Sequence, residues 1–404
     1  MKRFRRIVEK IAEGMLTLSG AVTTVTILLI VVFLFREGLG LFKSPAVEKG
    51  YALCVNVANP VDRLTPFQIK QIFDYAIVNW AELGGKDEAI ELFRFDDIFS
   101  RYSDEELGAE NDYALLPDKL GEVVASSPGI IAFLPEEYLP RDLKGVRMLR
   151  SEHITAGDFF GGREWIPTAT PAPQFGTLPL LLGTLWVSII AIFIALPLGL
   201  GVAIYLSELA NEQTRKLLKP AIELLAGIPS VVYGFFGLVV LVPLVQKAFG
   251  LPVGETGFTG SVILAIMALP TIITVAEDAM RNTPRAMREA SLALGATHWQ
   301  TIYRVIVPYA KSGISAAVVL GIGRAIGETM AVLMVTGNAA VIPKTLFAPL
   351  RTIPATIAAE LGEAPAGGAH YQALFMLGCI LFLITLVINI TAEAISKRQH
   401  NKGL

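Results

Sequence analysis

The sequence predicts an α-helical polytopic membrane protein of about six transmembrane helices, with an α+β domain inserted after the first. Three observations carry this. Of 404 residues, 53% are hydrophobic and only 17% are charged. The mean hydropathy of +0.56 lies above that of a soluble domain of this length. Apolar runs recur at roughly the ~20 residues that cross ~30 Å of hydrocarbon, and between the first and second of them the hydropathy collapses, from about Arg36 to Phe175.

The formal net charge of -2 comes with basic residues in short clusters and not along one surface, which excludes a nucleic-acid partner. Cys54 falls in a polar region and Cys379 in an apolar one, so no disulfide is expected between them. His153, His298, His370 and His400 are scattered, without cysteines or carboxylates at ligand spacing, so no metal site is expected.

The N-terminus reads KRFRR and then an apolar run from about Leu16 to Phe35. A secretory signal would have a shorter apolar core and a small-residue cleavage site, whereas this run ends in REGLGLF; it reads as a retained first span. In the polar region, YALCVNVAN and GIIAFLP read as strands among turns. TATPAPQF, rich in proline and threonine, reads as a linker back to the membrane. Five further spans follow, at about Leu180 to Tyr205, Ile222 to Val245, Ser261 to Ala276, Ile314 to Val335 and Leu374 to Ile390. Lys and Arg are retained on the cytoplasmic side. They cluster at Lys2, Arg3, Arg5, Arg6 and Lys10, at Arg215, Lys216 and Lys219, at Arg281, Arg285, Arg288, Arg304 and Lys311, and at Lys397, Arg398 and Lys402. The alternate short loops hold only Lys247 in one and Lys344 and Arg351 in the other. Both termini are therefore expected to be cytoplasmic, with the polar domain outside. The expected division is residues 1–36 as N-terminus and first span, 37–175 as the insert, 176–396 as a five-helix core with a loop at about 281–308, and 397–404 as a tail.

Between the fourth and fifth spans lies RNTPRAMREASLALGATHWQTIYRVIVPYAKSG. Thr283 is placed to cap a helix whose first turn begins at Pro284. Gly295 can break that helix in a left-handed conformation, and a second helix from about His298 to Val307 would meet Pro308 at the membrane edge. Physics alone leaves two readings open, a compact cytoplasmic knob or an amphipathic helix lying on lipid headgroups. Within this stretch, EASLALGATHWQTIYRVIVP resembles the EAA loop of ABC importer permeases, with Glu289, Ala290, Gly295, Val305 and Pro308 at the family's spacing and Ser291 in place of its second alanine. The resemblance implies a loop that sits in a cleft of an ATPase subunit, with Glu289 and Gly295 as its most telling residues. The chain holds no G-x-x-x-x-G-K-[ST] string to cradle phosphates, so no catalytic or cofactor site is expected in it. ATP and Mg would be bound by partner ATPase subunits.

GIGRAIGETM, residues 321–330, places Arg324 and Glu328 inside an apolar span. A charge at mid-membrane costs ~2.5–3.5 kcal/mol on insertion scales, so such residues face a protein interior or a water path. Four residues apart on a helix, the two can pair on one face. Gly321, Gly323, Ala325 and Gly327 would let neighbouring helices approach, in which case the pair only fixes packing. Otherwise it lines a path, where a guanidinium fork suits a tetrahedral oxyanion. The strings FGTLPLLLGTL, PLGLGVAIYLSELA, KPAIELLAGIPSVVYGFFGL and GIGRAIGETMAVLMVTGN resemble phosphate importer permeases of the PstC type, from about Phe175 to near the C-terminus. That resemblance implies a type I ABC importer fold in the bacterial inner membrane, and phosphate passage at Arg324 and Glu328. The implied partners are a PstA-type second permease, a PstB-type ATPase dimer and a PstS-type periplasmic phosphate-binding protein, besides membrane lipid. Gly227, Pro229 and Gly234 would bend the third span, either for close packing or as a hinge.

In the insert, LTPFQIKQIFDYAIVNWAELGGKDEAIELFRFDD and ASSPGIIAFLPEEYL resemble part of a periplasmic phosphate-binding protein, roughly from Val57 to Leu139. The binding protein's R-x-D-G-S-G-T-like segment is here FRFDDIFSRYSDEE, without Ser-Gly-Thr, and Asp96 and Asp97 would repel an anion. The insert therefore reads as a receptor-derived lobe that has lost phosphate ligation. It would dock the true binding protein, cover the pore mouth or contact the partner permease. The competing functions are a permease for another oxyanion and a membrane-anchored phosphate sensor; the short tail after Ser396 leaves the sensor no output domain.

Overall fold

The computed structural model describes residues 2–108, 113–139, 144–151 and 153–400. The side chains of Lys2, Arg3, Arg5, Arg6, Lys397 and Arg398, and all of Lys402, lie outside what is described. The chain forms two compact units. A helical unit comprises Met1–Gly38, Pro179–Ala364 and Leu374–Leu404; an insert unit comprises Leu39–Leu178 with Pro365–Ala373.

Five helices of the described chain are long and apolar enough to cross a membrane: Ala12–Lys43, Leu178–Leu209, Ser230–Phe249, Gly257–Arg281 and Ala369–Thr391. A sixth span results if the bent pair His298–Tyr309 and Lys311–Gly327 counts as one. The expected number of spans holds, with two corrections. The third span does not run from Ile222 to Val245. The helix Glu212–Gly227 ends there, Ile228 is extended at ψ 128°, and the span begins anew at Ser230. Pro229 is the cause, because its ring bars the residue before it from helical backbone and it has no N–H to continue the ladder. The fifth span likewise does not continue to Val335. Its helix stops at Gly327, Glu328 is extended at ψ 133°, and a short helix Met330–Val335 follows.

Helices of this unit approach through small residues, as apolar surface alone gives no preference for protein over lipid. A side chain at Gly313 would put its Cβ 2.3 Å from the Ala279 Cβ, and one at Gly321 would put it 2.9 Å from Ile272 Cγ1. These contacts seat Lys311–Gly327 against Gly257–Arg281. The first span is exposed along most of its length, as a lipid-facing helix should be. Its end packs on the last span, with Phe33 edge-to-face on Phe375 and a Gly38 Cβ only 3.0 Å from the Met376 backbone.

The insert is built on a four-stranded sheet. Tyr51–Asn56 lies between Ile130–Pro135 and Val146–Met148, antiparallel to both, and Glu91–Arg94 adds to the far side of Ile130–Pro135 in parallel. Alternate side chains point to opposite faces, and both faces are covered. Leu53, Val55 and Ile131 join a cluster with Ile69, Ile72 and Phe73 of the helix Pro66–Phe73 and with Trp80. Cys54, Ile130, Ala132 and Leu134 join Leu120, Val123 and Val124 of the helix Leu116–Ser126. Burying each such large apolar side chain contributes ~1.5–3 kcal/mol. Local signals agree: Thr65 and Gln68 form a capping box, Asn79 Oδ1 accepts the Ala81 N–H at 2.8 Å, and Gly84 takes φ 78°. The Trp80 indole donates to the Gly129 carbonyl at 2.8 Å, tying the N-W turn to the sheet.

TATPAPQF is no free linker. Gln174–Phe175 pairs with Trp165–Ile166, and Ala172, Gln174 and Phe175 are buried. The paired strand gives the segment a hydrogen-bonding partner that composition does not disclose. Burial pushes the Cys54 thiol up to about 12, so it stays protonated and unreactive at neutral pH. In a Cys379→Ser background, a maleimide at pH 8 is expected to leave the folded protein unmodified and to label Cys54 only after denaturation, read by mass spectrometry.

Candidate functional site

Arg324 and Glu328 come from a helix that ends between them. Arg324 lies in the last turn of Lys311–Gly327, and its Nη1 donates to Thr271 Oγ1 at 3.4 Å. Thr271 follows Pro270 in the fourth span. Glu328 Oε1 instead accepts the Ala331 N–H at 3.4 Å, at the start of the short helix Met330–Val335. Among the described residues the two charges form no ion pair, because the extended backbone at Glu328 turns the carboxylate off the helix face that would have faced Arg324. Both are half-buried. Tyr233, whose hydroxyl donates to the Leu225 carbonyl at 2.8 Å, lies within electrostatic reach of Arg324. Of the four small residues around the pair, Gly321 and Ala325 are packed against neighbours, while Gly323 and Gly327 face open space. The structure thus leaves a guanidinium with spare donors beside the Thr271 hydroxyl, and a carboxylate with a spare oxygen four residues on, inside a membrane-spanning unit.

The three expected bend residues separate. Gly227 and Pro229 bracket the break before the third span, and a side chain at Gly227 would meet nothing within 4 Å. Gly234 is a packing residue: its Cβ would come within 3.0 Å of the Ala331 Cα and 2.7 Å of the Met334 Sδ.

The long loop folds as two short helices. The first is Arg285–Ala293, entered through Pro284. Thr283 does not cap it; its hydroxyl is buried without a hydrogen-bond partner, because Pro284 takes the capping position in extended backbone. Gly295 is left-handed at φ 81°, as expected. The second helix starts at a capping box of Thr297 with Gln300, a signal legible in T-H-W-Q that sequence reasoning missed. It does not end at Val307 but runs through a wide π turn, Ile302–Ile306, to Tyr309, where the chain bends by 70° into Lys311–Gly327. Pro308 sits in that last turn, where its missing N–H favours a bend. Glu289, Ala290 and Gly295 are exposed, and so are Leu294 and Trp299, at 90% and 60%.

Basic side chains near this loop hold buried carboxylates. Arg288 Nη1 lies 2.7 Å from Glu208 Oε2, and Glu208 is 4% exposed. Lys219 lies 3.2 Å from Glu277, itself 1% exposed, and 3.3 Å from Asp278. Desolvation opposes the Lys219 charge, but hydrogen bonds to Glu277 and Asp278 outweigh it and hold the ammonium above the ordinary lysine range. Sequence reasoning used these cations only for topology; no local spacing joins residues 80 apart such as Glu208 and Arg288.

The packing difference between the glycines is measurable. Gly234→Leu should destabilise the protein by ~1–3 kcal/mol through overpacking. Gly227→Ala, in open space and without a left-handed backbone, should raise stability by at most ~0.5–1 kcal/mol. Apparent melting temperatures in detergent distinguish the two.

Comparison with known proteins bears on the whole helical unit. Residues 195–401 match the family model described as binding-protein-dependent transport system inner membrane component. The probable ABC transporter permease protein YqgH of Bacillus subtilis is 38% identical over 277 residues, 69% of this chain and 87% of that protein. Phosphate transport system permease proteins PstC are similar as well. The one from Haemophilus influenzae is 39% identical over 61% of this chain and 83% of that protein. The one from Mesorhizobium japonicum is 42% identical over 57% of this chain and 75% of that protein. With half the chain inside the family model and a relative this similar matched over most of its length, the chain belongs to the family of binding-protein-dependent transport system inner membrane components.

Proposed function

We propose that this chain is the PstC-type permease subunit of an ATP-driven phosphate importer. The observation that carries the reading is the charged cluster at Arg324 and Glu328, whose two charges sit in one spanning unit without neutralising each other. A planar guanidinium with free N–H groups matches a tetrahedral oxyanion, and a nearby carboxylate keeps the anion from being held too tightly. The names of the relatives supply the anion, phosphate. Thr271 adds a hydroxyl beside the guanidinium.

The fold is that of a type I importer permease, in the bacterial inner membrane with both termini cytoplasmic and the insert outside. The even number of spans and the distribution of Lys and Arg support this orientation. The two-helix loop with Glu289, Ala290, Gly295 and Pro308 docks on a PstB-type ATPase dimer, which binds ATP and Mg; this chain has no ATPase site of its own. Exposed Leu294 and Trp299 suit such a contact. A PstA-type permease completes the path, and a PstS-type binding protein delivers phosphate. The break at Gly227 and Pro229 is the hinge of the third span. The insert takes no phosphate: Asp97 Oδ2 accepts the Arg94 N–H at 2.7 Å, an acidic group where the binding protein would present donors. Its role is contact with the binding protein or the partner permease.

The test is phosphate uptake and ATP hydrolysis in liposomes holding the whole complex. Arg324→Gln and Glu328→Gln should each lower uptake at least ~10-fold, about 1.4 kcal/mol of barrier, while the complex still assembles and hydrolyses ATP. Normal uptake in both variants would leave the charges as packing elements.

A further inference from the structure

The two helices of the loop are fixed to the bundle in different ways. The second is seated by apolar burial: Ile302 and Ile306 are each 1% exposed, in a cluster with Ala203, Ala276 and Met280. The first, Arg285–Ala293, has no buried residue. Among the described residues its one ion pair is that of Arg288. Nη1 of this guanidinium donates to Glu208 Oε2 at 2.7 Å, and Nη2 donates to the Met280 carbonyl at 2.8 Å. Glu208 lies in the π turn Tyr205–Leu209 that ends the second span, and its other oxygen accepts from Ser207 at 2.8 Å. Met280 lies in the last turn of the fourth span. One side chain therefore grips the ends of two spans, from a helix whose other side-chain tie, Ser291 to the Thr301 hydroxyl at 2.9 Å, reaches only the second loop helix.

The grip is well suited to carrying displacement. A charge-assisted bond to a carboxylate removed from water is stronger than a neutral one, and its rupture would leave Glu208 buried and unpaired. The planar fork also fixes the distance between its two acceptors, which a lysine cannot do. The fourth span then leads back to the site: Thr271, the partner of Arg324, lies on the same helix nine residues before Met280, ~13 Å along its axis.

We propose that Arg288 is the positioning residue that couples the loop to the translocation path, by binding Glu208 of the second span and the Met280 carbonyl of the fourth. This rests on the reading of the loop as the ATPase contact. When the ATPase draws the loop inward, the guanidinium moves both span ends together, and the fourth span carries that movement to Thr271 and Arg324.

The test is the number of phosphate ions moved per ATP hydrolysed by the reconstituted complex, together with retention of the ATPase on the membrane subunits. Arg288→Lys keeps the charge without the fork, and Glu208→Gln keeps the shape without the charge. Both should retain the ATPase and hydrolyse ATP while the phosphate-to-ATP ratio falls ~10-fold or more. Leu294→Asp, on the exposed side of the loop and outside the grip, should instead release the ATPase. A wild-type ratio in Arg288→Lys and Glu208→Gln, with Leu294→Asp still releasing the ATPase, would overturn the coupling role and leave the docking loop standing. Loss of the ATPase from the Arg288 and Glu208 variants would also overturn it, by reducing the pair to loop folding. Full ATPase retention in Leu294→Asp would remove the docking loop and this inference with it.

Discussion

Hydrocarbon cannot solvate a charge or an open backbone turn, and the helical unit is arranged around the few places where it has both. Each unsatisfied group would cost several kcal/mol in lipid. Beyond the interruptions at Ile228 and Glu328 the chain packs together, Gly234 lying against Ala331, while Gly227 and Pro229 at the first break stay exposed. Near the first break the Leu225 carbonyl accepts the Tyr233 hydroxyl, and near the second the Glu328 carboxylate accepts the Ala331 N–H. Broken helices and intramembrane charges are tolerated where they are buried in protein or face a water-filled path.

Close approach of helices makes that arrangement possible. Gly313 and Gly321 let the fifth span lie directly on the fourth, so that Arg324 reaches Thr271. At the other end of the fourth span, Glu277 and the Met280 carbonyl receive Lys219 and Arg288 from the surrounding segments, and Glu277 also pairs with Arg281 one turn on. The charges that orient a membrane protein by their distribution here also fasten its surface helices to its spans. The insert obeys different physics. Its sheet alternates side chains into two cores, and two of its helices, Pro66–Phe73 and Ala156–Gly161, start at threonine capping boxes that satisfy N–H groups which water would otherwise reach.

What could be read in the sequence follows the range over which each signal acts. Spans, the strands Tyr51–Asn56 and Ile130–Pro135, and the left-handed Gly295 depend on neighbouring residues, and all were legible. The loop between the fourth and fifth spans was legible as two helices, though Thr283 was misread because Pro284 displaced it from the cap. The apolar run through Ile228 concealed a break that Pro229 imposes, and GRAIGET concealed a helix end, since hydropathy carries no record of backbone direction. The pairing of Arg324 with Glu328 failed for that reason: their spacing was right for a helix that does not continue. Arg288 with Glu208, and Lys219 with Glu277, join distant segments and are visible only once the helices are packed.

The central claim is that this unit passes phosphate inward at the expense of ATP. The most direct measurement is accumulation of radiolabelled phosphate in liposomes holding this chain with its partner permease and ATPase, supplied with binding protein, and challenged with excess sulfate. The account predicts accumulation against the phosphate gradient that requires both ATP and binding protein and is unaffected by sulfate. ATP hydrolysis with no phosphate accumulation, or accumulation of sulfate in its place, would contradict it.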